Sequence, residues 1–270
     1  MAPAPQTVME PNFLKRVGVL VLTFNEAPNI GRTLDALSDF PEVVLLDSGS
    51  TDETLGIAAR FPNVRVCHRR FDNHSAQWNH GLAECGLTRE WVLALDADYV
   101  LPPGLLQEIS ALTPSDDVAG YRSSFSYWIL GRPLSRSLYP PVTTLYRRAG
   151  AYYEQDGHTQ RVRLKGRVLD LKERIAHDDR KPLAHWLAAQ DRYARLECDL
   201  LLGKPWAALR WRDRLRRMKF ITPWLVPLYC LTAGRGLLDG RAGWYYALQR
   251  GVAEAILSLK LLEHKTTEGR

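Results

Sequence analysis

A chain of 270 residues with 46% hydrophobic content can bury a full core, which excludes a disulfide-stapled miniature scaffold and a low-complexity chain. The formal net charge of +6, much of it in the last third, points to an anionic partner such as a membrane surface or a nucleic acid. The four cysteines (Cys67, Cys85, Cys198 and Cys230) are scattered, show no paired metal spacing, and fit a reducing cytoplasm. The segment from Met1 to Pro11 is rich in Pro and Ala, carries no signal-peptide pattern, and reads with residues 12 and 13 as a flexible lead.

The first apolar run, from Arg16 to Leu22, ends at Thr23-Phe24-Asn25-Glu26, and Ile30, Leu34 and Leu37 then repeat at helical spacing. A second strand, Val43-Val44-Leu45-Leu46, ends at Asp47-Ser48-Gly49-Ser50-Thr51-Asp52, which reads as a turn leading into a helix over Thr54 to Arg60. A strand at Val64-Arg65-Val66 follows, then a helix over Ser75 to Cys85. The next strand, Trp91 to Leu95, ends at Asp96-Ala97-Asp98. Strands that alternate with helices and read as continuous apolar runs predict an α/β fold with a mostly parallel sheet covered on both faces. Ligands of such sheets sit beyond the strand C-termini, where Asn25, Asp47 and Asp96 all fall. Two carboxylates at a strand end suit a hard divalent cation, Mg²⁺ or Mn²⁺, shared with phosphate oxygens. Asn25 and Asp52 are equally suited to capping helices.

At these residues the chain resembles glycosyltransferase family 2, with the GT-A fold, and within it the bacterial enzymes of lipopolysaccharide-core or cell-surface glycan assembly. The matching motifs are Thr23-Phe24-Asn25-Glu26, Leu46-Asp47-Ser48-Gly49-Ser50-Thr51-Asp52, Ala76-Gln77-Trp78-Asn79-His80-Gly81-Leu82 and Asp96-Ala97-Asp98. The resemblance covers roughly residues 14–180. It implies a nucleotide-sugar donor, by family analogy a UDP-sugar, contacted by Thr23, Asn25, Glu26, Asp47, Ser48, Gln77, Asn79 and Asp96. Asp98 is the expected first metal ligand, with Asp96 beside it. The cation would neutralise charge on the departing diphosphate.

The resemblance also implies inverting chemistry, in which a carboxylate takes the acceptor proton. Asp156 is the expected base, with Glu154 and His158 as alternatives; where the family often has His-Glu, this chain has His158-Thr159. A solvated turn before the strand Arg161 to Leu164 is the plain reading of the same segment. His177, after the strand-like Val168 to Leu171, resembles a late family histidine that approaches metal and diphosphate, with Arg180 as a phosphate partner. The loop Gly131 to Pro141 reads as acceptor-facing, with Arg132 and Arg136 suited to an anionic acceptor.

The expected organisation is a catalytic domain over 14–180, divided at 113/114 into donor and acceptor halves, and a helical region over 181–270. Lys181 to Leu202 has helical periodicity. Pro205 to Phe220 reads as one basic amphipathic helix, with Ala208, Trp211, Leu215 and Met218 on one face and Arg210, Arg214 and Arg217 on another. Arg212, Arg216 and Lys219 lie beside that basic face. Ile221 to Gly234 is apolar but broken by Pro223 and Pro227, which suits a surface-bound or re-entrant hairpin better than a spanning helix. These features predict a protein peripheral to the inner face of the cell membrane, acting on a glycolipid or lipid-linked acceptor. Closing the catalytic domain or pairing two chains into a homodimer are other uses for the same helices. A polyprenyl-phosphate acceptor and a basic binding module without transferase activity are the alternative functions. Nucleic acid is not an expected partner, because the acidic strand ends repel phosphate unless a metal intervenes.

Overall fold

The computed structural model describes residues 12–156 and 159–267. In chain order they form β1 (Val17–Thr23), α1 (Ile30–Asp35), β2 (Val43–Asp47), α2 (Thr54–Ala58), β3 (Val64–His68), α3 (His74–Ala83), β4 (Trp91–Asp96), β5 (Tyr99–Val100) and α4 (Pro103–Ser110). Then follow β6 (Val118–Ile129), β7 (Arg132–Pro133), β8 (Val142–Arg147), β9 (Tyr152–Asp156), β10 (Thr159–Arg163) and β11 (Arg167–His177). The chain ends in α5 (Leu183–Leu202), α6 (Trp211–Arg217), α7 (Thr222–Leu231) and α8 (Gly240–Thr267).

The main sheet runs β3-β2-β1-β4-β8-β6-β11-β5, with β7 hairpinned onto β6; β9 and β10 form a separate two-stranded ribbon. Parallel pairing is confined to β3, β2, β1 and β4, and the pairs β4–β8 and β6–β8 are antiparallel. The sheet is mixed and flanked by helices, in keeping with the α/β expectation, and its parallel part is where the sequence shows strand–helix alternation. Val19, Leu20, Val43 to Leu46 and Trp91 to Val92 are fully buried. Burial on both faces explains why these strands read as unbroken apolar runs.

Two compact units divide the chain. The first comprises Met1–Phe125, Pro141–Tyr153 and Val162–Ile175; the second comprises Ser126–Pro140, Glu154–Arg161 and Ala176–Arg270. The helical unit thus includes more than the region after residue 180, since it also takes the loop after β6 and the tip of the β9–β10 ribbon.

Within the second unit, α8 packs against α5, α6 and α7. One cluster gathers Ala194, Cys198, Leu201, Leu209, Leu257 and Leu261; another gathers Ile129, Leu134, Cys230, Ala242, Tyr246 and Ala247. At Gly243 a Cβ would collide with the Gly236 carbonyl oxygen, so only glycine admits this approach of α8 to the chain before it. The single helix expected over Pro205 to Phe220 is instead broken. A 3₁₀ turn at Trp206–Ala208 is followed by extended Leu209 and Arg210, because Leu209 turns into the core, and α6 starts only at Trp211. Arg216 is likewise no part of a free basic face. It donates to Glu254 at 2.7 and 3.0 Å and to Glu197 at 3.1 Å, inside the helical unit. Burial opposes its charge, but the two carboxylates outweigh burial and hold the guanidinium protonated.

Candidate active site

The loops after β1 and β2 are stitched together by side-chain-to-backbone bonds. Asn25 sits at φ 52°, a left-handed conformation that Asn tolerates better than most residues. From there its N–H donates to Ser50 Oγ at 2.9 Å, and its Oδ1 accepts from the Thr51 N–H at 2.8 Å. The Glu26 N–H donates to Thr54 Oγ1 at 2.8 Å, while the Glu26 carboxylate accepts from Asn29 Nδ2 at 2.8 Å. Asp52 serves both loops, accepting from the Thr54 N–H at 3.0 Å and from the Ala27 N–H at 3.1 Å. Burial opposes ionisation of Asp52, yet these bonds and the Thr54 hydroxyl hold its pKa below the ordinary carboxylate value. Thr23, just before this loop, is buried, and its hydroxyl has no hydrogen-bond partner among the described residues.

Asp47 ends β2 and is almost fully buried. Its Oδ2 accepts from the N–H groups of Gly49 at 2.9 Å and Ser50 at 3.0 Å; its Oδ1 accepts from the Ser50 hydroxyl at 2.5 Å. His68 Nδ1, paired across from it on β3, lies 3.5 Å from Oδ2. The carboxylate therefore shapes the Ser48-Gly49-Ser50 turn, in which Gly49 takes φ 95°.

Helix α3 closes one side. Fully buried Gln77 donates through Nε2 to Ser48 Oγ at 3.1 Å and accepts at Oε1 from Arg69 at 2.6 Å. Arg69 in turn donates to both carboxylate oxygens of Asp72, at 2.9 and 2.8 Å. A Cβ at Gly81 would meet Leu20 Cδ2 at 2.6 Å, so this glycine lets α3 lie directly on β1. Asn79 exchanges both of its amide atoms with the main chain of Tyr153, at 2.9 and 2.7 Å, and Trp78 stacks on the Tyr153 ring. Asn79 thus anchors the start of β9.

Asp96 and Asp98 complete the edge. In the strand register Thr23 is opposite Asp47 and Leu22 is opposite Asp96, so Asp47 and Asp96 flank the end of β1 about 10 Å apart. Ala97, between the two aspartates, is held by the buried Thr33 hydroxyl, which donates to its carbonyl at 2.7 Å. Both carboxylates are half-buried. Burial, the neighbouring Tyr146 hydroxyl and the Asp96 carboxylate raise the Tyr153 pKa well above its ordinary value, so that hydroxyl stays protonated. Two oxygen donors at the end of a buried strand fit Mg²⁺ or Mn²⁺, which take one or two protein carboxylates and complete their shell with phosphate and water.

The remaining expected residues lie in the second unit. His177 ends β11 and stands edge-on to Tyr127 and Tyr139, with ring centroids at 4.6 and 4.8 Å. Arg180 donates to Asp178 at 3.0 and 2.9 Å. Glu154 is exposed on β9, immediately after inward-turned Tyr153. The backbone of Asp156 ends β9; the Asp156 side chain and all of His158 lie outside the described residues. The loop carrying Arg132 and Arg136 is not a plain surface loop. Ser135 donates to Asp239 from both N–H and hydroxyl, at 3.0 and 2.6 Å, and the Leu138 N–H donates to the Tyr246 hydroxyl at 2.8 Å. Sequence reasoning missed Arg69, His68 and Tyr153. None of them stands in a recognisable motif, and only the packing of β3, α3 and β9 brings them to the edge.

A sequence model of glycosyl transferase family 2 matches residues 18–141. The lipopolysaccharide core biosynthesis glycosyltransferase LpsC of Rhizobium meliloti is 24% identical over 120 residues, which is 43% of this chain and 44% of that protein. The glycosyltransferase SunS of Bacillus subtilis is 32% identical over 80 residues, covering 29% of this chain and 19% of that protein. The matched stretch thus spans less than half the length of each of these relatives. Among solved structures, S. aureus TarS 1-349 in complex with UDP-GlcNAc superposes with a TM-score of 0.47 at 18% identity, over 94% of this chain and 92% of that one.

Proposed function

We propose that this chain, whose residues 18–141 match the sequence model of glycosyl transferase family 2, is a glycosyltransferase that moves a sugar from a nucleoside-diphosphate donor, with UDP the favoured nucleotide, to a lipid-linked or lipopolysaccharide-type acceptor. The observation that carries this reading is the convergence of Asn25, Asp47 and Asp96-Ala97-Asp98 on one sheet edge, in the register given by the β1 pairings. The loops around Asn25 and Ser50 form a rigid rim for the nucleoside. Phe24, half-exposed beside them, offers an aromatic face to the base.

Asp98, with Asp96, would hold Mg²⁺ or Mn²⁺, whose charge offsets that of the departing diphosphate. The acceptor oxygen attacks the anomeric carbon as a carboxylate on β9 takes its proton, giving inversion. Asp156 is the proposed base and Glu154 the alternative; both follow Tyr153, which Asn79 pins in place. His177 and Arg180 are the proposed contacts to the diphosphate.

The helical unit supports a membrane-associated acceptor. Trp224 is 79% exposed and Leu238 72% exposed, with Phe220, Leu228, Trp244 and Leu248 also turned outward. Trp244, Leu248 and Val252 form an exposed stripe along α8 at spacing four. Arg212, Arg235 and Arg241 add positive charge for anionic headgroups. No described helix is long and apolar enough to cross a membrane, so the proposed contact is peripheral, at the inner face. The same surface favours, as a second reading, a polyprenyl-phosphate acceptor, whose ionised oxygen needs no base.

Calorimetric titration with UDP, with Mn²⁺ and then with chelator, tests the donor site. Binding that requires the metal and disappears in Asp98→Asn is the expected result. UDP binding indifferent to both would remove the metal from the proposal, and preference for GDP or CDP would change the nucleotide.

A further inference from the structure

The cysteines scattered in the sequence are not scattered in space. β3 delivers Cys67 and the residues just after α3 deliver Cys85 to a Cα separation of 5.9 Å, where the two form a disulfide. The spacing along the chain gave no sign of this pairing. Its physical cause is the packing of α3 on β1 and β2, which brings the residues after the helix up to the edge strand β3 and closes 18 residues of sequence separation. His80, one turn before Cys85 on α3, brings a ring nitrogen to the same point. The two sulfurs and that nitrogen all lie within 4.8 Å of one another.

We propose that, in the dithiol form of the chain, Cys67, Cys85 and His80 bind a zinc-class divalent cation. Tetrahedral zinc with two sulfurs and one imidazole nitrogen needs ligand-to-ligand distances of about 3.5–3.8 Å. The sulfurs must therefore separate from bonding distance, and the imidazole must approach by about an ångström, both within the reach of side-chain rotation. His80 Nδ1 lies 3.3 Å from Glu84 Oε2. From that distance a small ring rotation would let the carboxylate accept a hydrogen bond from Nδ1, which would fix the tautomer and leave the other nitrogen's lone pair for the metal, as outer-shell partners of metal-bound histidines do.

The donor set separates this site from the one at Asp96 and Asp98. Thiolate and imidazole select zinc-like ions, whereas paired carboxylates select Mg²⁺ or Mn²⁺. Two thiolates also balance the metal's double charge, which matters because Cys85 is buried. Cys67 and His80 are half-buried, so the fourth position opens toward water. Disulfide and metal exclude each other. A dithiol reductant supplies two electrons and two protons to give two thiols, and binding then releases both thiol protons. In either state the cluster ties β3 to α3, directly behind His68 and Gln77, which reach Asp47 and Ser48.

Cobalt(II) titration of the full chain reduced with a phosphine tests this. One cobalt per chain with a thiolate-to-cobalt charge-transfer band is expected, displaced by zinc and absent from the oxidised protein. The band should vanish in Cys67→Ser, which alters a partly exposed residue, and persist in Asp98→Asn, so failure of this site and failure of the donor site are distinguishable. Glu84→Gln, at an exposed position, should weaken cobalt binding about 10–100-fold. A reduced wild type with native circular dichroism and no charge-transfer band would overturn the proposal, as would a band that survives Cys67→Ser.

Discussion

The two units of this chain place their apolar and polar groups in opposite ways. In the first, leucines, valines and Trp91 fill the sheet, and polar groups gather at the strand ends, where Asn25, Asp47 and Ser50 bond to one another's loops. In the second, a charged cluster of Arg216, Glu254 and Glu197 is held among the helices, while Trp224, Leu228, Leu238 and Leu248 face outward. A parallel sheet gains by burying both faces and leaves only its ends for chemistry. A helical unit that leaves several Trp and Leu side chains exposed carries apolar area available for contact with another surface. The contrast is what the proposed function builds on, with the nucleotide proposed for the first unit and a lipid-bearing surface for the second.

The largest effect should come from the sheet edge. Asp98→Asn should lower transfer on the order of 10²–10³-fold with an unchanged melting temperature, measured with a radiolabelled UDP-sugar and a lipid extract. An active variant would detach Asp98 from the chemistry. Next, Trp224→Ser and Leu248→Ser should each weaken sedimentation with anionic vesicles on the order of tenfold, leaving UDP binding unchanged. If they instead convert a dimer to a monomer in analytical ultracentrifugation, the exposed face pairs chains.

The internal charges give a stability test. Glu254→Ala leaves Arg216 with Glu197 alone and should cost about 1–3 kcal/mol in urea unfolding, a reduced figure because the Arg216 side chain is 37% exposed. Replacing Arg216 and Glu254 together by Met should recover much of that loss, since an apolar pair leaves no orphaned charge. In the first unit, Gly81→Ala forces α3 away from Leu20 and should cost about 1–3 kcal/mol, with weaker UDP binding because Gln77 moves with the helix. The smallest effect concerns acid. Asp52 has a depressed folded pKa, so its stabilisation is present above the unfolded value of about 4 and is lost as pH falls through the folded value. Acid unfolding below about pH 4 should be slightly steeper in the wild type than in Asp52→Asn.

Much of the first unit was legible from residue pattern alone. β1, β2 and β4 are continuous apolar runs whose ends carry Asn25, Asp47 and Asp96, and the register aligns those ends as the pattern implies. The helical region was legible as helices but not in its breaks. Pro205 to Phe220 has a good amphipathic period, yet burial of Leu209 overrides it. His177 was read as lying beyond a short strand, whereas β11 runs from Arg167 to His177 itself.

The sequence by itself determined which strands are buried and which side chains stand at their ends, because strand burial depends on local apolar continuity and turn chemistry on local residue type. Only the tertiary structure decided what those side chains are occupied with. Gln77 reaches Ser48 from α3, Asn79 clamps Tyr153 across 74 residues, and Cys67 meets Cys85 and His80. These are contacts between elements distant along the chain. Their partners are chosen by how β3, α3 and β9 pack, and no local period encodes that choice.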